Sequence, residues 1–172
     1  MRAMSLMVCL AIVGPTPVLA QEHEHSPYAG HETSEIPSLS PKELADLRGG
    51  AGMGLARAAE LNHYPGPKHV LELADSLGLS SEQREQVSRI REDMLGLAVE
   101  LGVRIIEAER ALGLRFRHGH IDSVAVREAT ADIGLLHGEL RYRHLAAHLA
   151  TREVLTPGQI EAYDRLRGYD GE

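Results

Sequence analysis

Leu79-Ser80-Ser81-Glu82-Gln83 and Val154-Leu155-Thr156-Pro157-Gly158-Gln159 are the two stretches that decide the fold. Both run Leu-Ser/Thr-x-x-Gln, and each opens a predicted helix. The hydroxyl of Ser80 or Thr156 can accept from orphan backbone N–H groups. Gln83 or Gln159, three residues on, can reach back to complete a capping box. Pro157 falls at the first helical position, where its missing N–H costs nothing. One such box is common; two that bracket a long amphipathic hairpin are not.

Between the boxes, the periodicity predicts a helix from about Ser81 to about Arg115. Its apolar positions are Val87, Ile90, Met94, Leu97, Leu101, Ile105, Ala108 and Leu112, in steps that alternate three and four. That is the seam of one helix packed on another. Arg117-His118-Gly119-His120 makes a turn, and Asp122 caps a second helix that reaches about Val154. Val126, Ala129, Ile133, Leu136, Leu140 and Ala147 form its stripe. Helices of this length span ~50 Å at 1.5 Å per residue, and a short connection makes them antiparallel neighbours. A last helix follows Pro157, using Ile160, Tyr163 and Leu166.

Upstream, Ser40-Pro41-Lys42-Glu43 opens a short helix that Gly49-Gly50 ends. A second is expected from Met53 to Asn62, with Leu55, Ala58, Ala59 and Leu61 on its apolar side. Tyr64-Pro65-Gly66-Pro67 breaks the chain, and a third helix is expected from Lys68 to Leu77, stopped by Gly78. Gly96, Gly102, Gly113, Gly134 and Gly138 interrupt the long helices. They either permit close approach and bending or are tolerated at ~1 kcal/mol each. No segment alternates as a strand would, so the class is all-α: a long antiparallel helical hairpin with shorter flanking helices.

Residues 1–20 read as a secretory signal, with Arg2 before the short apolar run from Met4 to Val13 and Val18-Leu19-Ala20 before a cut at Gln21. The run is short for a membrane span, though an uncleaved anchor is the alternative. The domain plan is a signal at 1–20, a disordered His-containing arm at 21–39, short helices and a hinge at 40–67, and the hairpin domain at 68–172. Cys9, the single cysteine, leaves with the signal. The mature chain then has no disulfide or thiolate to use. Net charge is −7, and losing the +1 of Arg2 makes it −8. An acidic chain argues against nucleic acid, which needs a basic face. Aromatics at 3% leave no stacking platform.

The signal, the hairpin and the paired boxes (Leu79, Ser80, Gln83; Leu155, Thr156, Pro157, Gln159) resemble the Spy/CpxP family of periplasmic proteins, the LTxxQ group. That group also holds zinc-associated ZraP-like proteins and CnrX-like metal sensors. The similarity covers roughly residues 68–169. It implies a hairpin that pairs into a curved homodimeric cradle. It further implies one of three roles: an ATP-independent chaperone for unfolded envelope proteins, an accessory to a sensor kinase's periplasmic domain, or a sensor or scavenger of Ni, Co, Cu or Zn. Spy-like cradles are basic on the concave face, whereas this chain is acidic, so charge steering favours different clients. As a client surface the hairpin offers Met53, Leu55, Leu97, Leu101, Ile105 and Leu136.

His137, His144 and His148 are the sharpest metal candidates, because offsets of seven and eleven fall on nearly one helix face. Counting back from the turn sets His144 opposite Met94, near Glu92 and Asp93. His63 and His69 flank the Tyr-Pro-Gly-Pro break and can fold over the same end. His, carboxylate and Met donors suit nickel, copper or zinc; histidines at the rim of an amphipathic helix give the same pattern without a metal. The family's His-x-x-x-Met before the second box is here Ala147 and Thr151, so its site does not transfer residue by residue. His118 and His120 sit at the hairpin tip, and His23, His25 and His31 in the arm are loose scavengers at most. No Gly-x-Ser-x-Gly elbow, P-loop or dinucleotide fingerprint is present, and the Gly-rich stretch 49–54 lacks the strand and Lys-Ser/Thr of a phosphate cradle. An enzyme is not expected.

Overall fold

The computed structural model describes residues 26–30, 33–34 and 36–169. The chain divides into two compact units, Met1–Glu32 and Thr33–Glu172. Residues 26–30 of the first make a turn in which the Ala29 N–H donates to the Ser26 carbonyl at 2.9 Å. The expected signal segment, Cys9, His23, His25 and His31 lie outside the described residues.

The second unit carries α1 (Pro41–Arg48), α2 (Arg57–Glu60), α3 (Pro67–Glu72), α4 (Ser81–Arg117), α5 (Ser123–Val154) and α6 (Pro157–Arg167). The fold is all-α, with two long packed helices and shorter ones flanking them. α4 has 37 residues and α5 has 32. The register is antiparallel: Gln83 bonds to Val154, Leu101 and Leu136 line one groove between the helices, and Leu112 and Ala129 line another nearer the turn. α1 and α3 pack on α4, while α2 and α3 pack on α5.

The capping boxes form as read. Ser40, Ser80 and Thr156 each accept from the backbone three residues on, and Glu43, Gln83 and Gln159 each reach back. The two glutamine boxes also join each other. The Gln83 amide donates to Gln159 Oε1 at 2.9 Å and to the Val154 carbonyl at 2.9 Å. The Gln159 amide donates back to Gln83 Oε1 at 3.1 Å. The start of α4 is thereby tied to the start of α6. Each motif leucine backs the clasp from below, since Leu79 and Leu155 are buried with Val70, Leu77, Val87 and Tyr163.

A second apolar cluster lies further up the hairpin: Ile36, Leu47, Ala98, Leu101, Ile105, Ile106 and Leu140. Ile36 falls in the stretch expected to be a disordered arm. Instead it is buried, and Ser38 donates to Glu109 at 2.8 Å. The α4 seam is also wider than its three-four stripe. Ala98, Gly102 and Ile106 are buried beside Leu101 and Ile105, whereas Leu97 is exposed. The reason is that α4 serves two neighbours, α5 on one side and α1 on the other.

Two short helices are shorter than periodicity predicted. The expected Met53–Asn62 helix is only Arg57–Glu60, because Met53 (φ 45°) and Gly54 (φ 76°) take left-handed conformations that cannot propagate a right-handed turn. The expected Lys68–Leu77 helix ends at Glu72 and continues as turns, yet Val70, Ala74 and Leu77 still bury one face.

Candidate functional site

Between the two clusters, α4 presents Arg91, Met94 and Leu95, and α5 presents His144, Ala147 and His148. With residues 49–52 and 66–69 they line a cleft of about 720 Å³. Four of the six residues put forward as metal ligands meet there: His69, Met94, His144 and His148. The expected opposition of Met94 and His144 follows from the antiparallel register.

His144 occupies the inner stripe of α5 with Leu140, Ala147 and Thr151 and is 5% exposed. Its Nε2 is buried and has no hydrogen-bond partner among the described residues. Burial, aided by the nearby His148 charge, holds its pKa below the ordinary 6.5, which favours the neutral ring. An unpaired nitrogen lone pair or N–H inside a protein is costly unless something occupies it.

His148 is oriented rather than orphaned. Its Nδ1 donates to the Tyr64 carbonyl at 2.7 Å and stands 3.6 Å from Glu60 Oε2. A carbonyl can only accept, so in the neutral ring the basic lone pair is on Nε2. The same arrangement, one ring nitrogen held by a carbonyl or carboxylate, fixes the tautomer of metal-binding histidines. The ring edge lies so close to Gly66 that a Cβ there would sit 2.8 Å from His148 Cε1. The Tyr64-Pro65-Gly66-Pro67 break is therefore the wall that seats this ring.

Glu60 is the carboxylate of the cleft, and sequence reasoning missed it. Tyr163 donates to its Oε1, as does Tyr169 at 3.2 Å, and Arg167 Nε stands 3.6 Å away. Burial first, and then the Glu60 bond, push the Tyr163 phenol up, so it stays a proton donor. Glu92 and Asp93, the acids suggested by counting along α4, are exposed. Glu60 lies on the short helix Arg57–Glu60 and is not among the apolar positions read for that segment, so in sequence it looked like one more solvated charge.

The other candidates go elsewhere. His137 is exposed on α5 and does not line the cleft, because position 140, not 137, continues the buried stripe to His144. His63, at φ 64°, turns its Nδ1 to the buried Asp164 at 2.7 Å, on the wall of a separate pocket. His69 Nδ1 bonds to Glu72 at 2.9 Å. Among the described residues no three His, Cys, Asp or Glu side chains converge closely enough to hold an ion as they stand.

The proposed client surface is not one surface. Leu101 is 6% and Ile105 0% exposed, both locked in the upper cluster, with Leu55 and Leu136 half-buried against it. Met53 and Leu97 are exposed. The three-four count placed Leu101 and Ile105 on the seam correctly, but the seam is filled by the chain's own α1 and Ile36.

Among the described residues no helix is long and apolar enough to cross a membrane. No curated protein and no solved structure matches the chain. A family model described as heavy-metal resistance matches residues 47–162, a span that takes in the hairpin, both glutamine boxes and the cleft lining apart from Arg167 and Tyr169. With its hairpin, its paired boxes and this match, the chain belongs to the heavy-metal resistance family, a Spy/CpxP-like family of helical proteins.

Proposed function

We propose that the protein is an exported, periplasmic sensor or scavenger of a transition-metal ion, which it takes as cargo in the cleft between α4 and α5. The family's proteins are periplasmic, and a heavy-metal role fits the family description better than client shielding does. The observation that carries the reading is the buried, unpartnered Nε2 of His144 on a cleft wall that also holds His148 and Met94.

The donor chemistry fits. Two imidazoles and a thioether, with Glu60 as the carboxylate, suit nickel, cobalt, copper or zinc rather than calcium. Tyr64 holds His148 by its Nδ1 and leaves Nε2 as the basic nitrogen. The tyrosines fix Glu60. Because no three such side chains converge in this arrangement, taking up an ion entails an inward shift of the walls. Cleft closure is then the means by which occupancy biases the hairpin or a homodimer built from it. Such a signal requires no catalysis, and its recipient would be a second copy of the chain or the periplasmic domain of a sensor kinase.

Titration calorimetry with nickel, copper and zinc ions tests the reading. Replacing His144→Ala and His148→Ala together is expected to weaken the tightest of the three by at least ~10–100-fold, the scale seen when metal-site partners are lost. Unchanged binding in the double variant rejects the site. Client shielding has its own assay: suppression of a denatured client's aggregation at stoichiometric protein supports it, and no suppression dismisses it.

A further inference from the structure

The cleft is larger and more cationic than a metal ion alone requires. Its volume of about 720 Å³ is that of a small-molecule site, in the ~300–1,000 Å³ range. A coordinated water occupies only ~30 Å³, so an ion with one or two waters leaves most of the space unfilled. The charge is unexpected as well. In a chain of net charge −7, the cleft is lined by Arg57, Lys68, Arg91 and Arg167 against the single carboxylate of Glu60.

These cations are not equally engaged. Lys68 is 3.9 Å from Glu72, and Arg167 stands near Glu60 and donates to Tyr169. Arg91 is half-buried on α4 and has no hydrogen bond or ion pair to any described residue. Glu60 in turn is already taken up by two tyrosines. A divalent cation brought here alone would add charge to a wall whose positive charge is only partly compensated. An anionic species would be drawn in and would give Arg91 a partner.

We infer that the cleft takes its metal together with a small di- or tricarboxylate, as an anionic chelate whose free carboxylate lies against Arg91 while the ion faces His144. This rests on the metal reading above and adds the form in which the metal arrives. Arg91 supplies planar, bidentate recognition of a carboxylate. Met94, one turn along the same helix and on the same wall, lies with His144 and His148 on the metal side.

Three calorimetric titrations of the purified protein, in a non-coordinating buffer, test it: nickel ion alone, citrate alone, and one-to-one nickel citrate. Nickel citrate is expected to bind at least ~10-fold more tightly than either component. Arg91→Met should bring nickel citrate to within about 2-fold of nickel alone, because the charge that recognises the carboxylate is gone. Arg91→Lys, which keeps the charge, should retain most of the advantage, and circular dichroism of both variants should match the parent. Nickel alone binding as tightly as nickel citrate overturns the inference and leaves the metal reading standing. So does an advantage that survives Arg91→Met. Citrate alone binding as tightly as the chelate also overturns it, showing an anion site without metal. If no titrant binds, the metal reading falls and this inference with it.

Discussion

His144 shows most clearly how burial and chemistry conflict at a single residue. Its ring sits where Leu140 and Ala147 would predict another apolar side chain, and its Nε2 has nothing to bond. Burial, then the His148 charge, lowers its pKa from 6.5. Below 6.5 the unfolded chain therefore binds a proton that the folded chain resists. Stability contributed by the neutral ring is complete above that pH. It is lost as pH falls toward the folded value, with a slope of at most ~1.4 kcal/mol per pH unit for one proton. Urea unfolding at a series of pH values should show this acid loss, and His144→Leu should flatten it; an equally steep curve in the variant would assign the loss to other groups. The glycines divide at the same scale. A Cβ on Gly102 would lie 2.0 Å from the Leu47 carbonyl oxygen, whereas one on Gly134 meets nothing within 4 Å. Gly102→Ala should destabilise by roughly 1–3 kcal/mol or more, since α1 must lift off α4. Gly134→Ala should stabilise by about 0.5–1 kcal/mol through helix propensity. Opposite shifts in unfolding midpoint check the pair. The sequence alone left all helical glycines equivalent, because only the tertiary approach of α1 distinguishes them.

Among the elements, what was local was readable and what was tertiary was not. Ser40, Ser80, Asp122 and Thr156 cap the helices they were expected to cap, because a cap is written within four residues. The helix expected from Met53 failed because Leu55, Ala58, Ala59 and Leu61 have helical spacing, but Met53 and Gly54 adopt positive φ. That the two boxes would meet was not readable from either alone. Their reciprocal amide pair joins two residues 76 apart in the chain, Gln83 and Gln159. A double-mutant cycle with Gln83→Ala and Gln159→Ala should return a coupling of about 1–2 kcal/mol, the sum expected of two neutral hydrogen bonds. Additive losses would mean that each glutamine acts only on its own cap.

Over the whole molecule, the hairpin holds two apolar clusters with the cleft between them, so the site is where the core is interrupted. His144, His148 and Met94 were legible as a group because the antiparallel register follows from one short turn. Glu60 and Arg91 were not: each is a charged residue off its helix's apolar stripe, indistinguishable in sequence from the solvated charges around it. The outward face of α5 carries Leu135, Tyr142 and Leu149 at seven-residue steps, exposed by 73%, 54% and 53%. That spacing suits a helix of a second copy. Light scattering at micromolar concentration should report a dimer, and Leu135→Glu with Tyr142→Glu should shift it to monomer; a parent protein that is already monomeric dismisses this face as an interface. The most direct test of the metal site is anomalous diffraction from crystals grown with nickel or copper. A peak within bonding distance of His144 Nε2, bordered by His148 and Met94, is the expected result. Strong peaks only at the hairpin-tip His118 and His120 or in the His23–His31 arm, with the cleft dark, would contradict it.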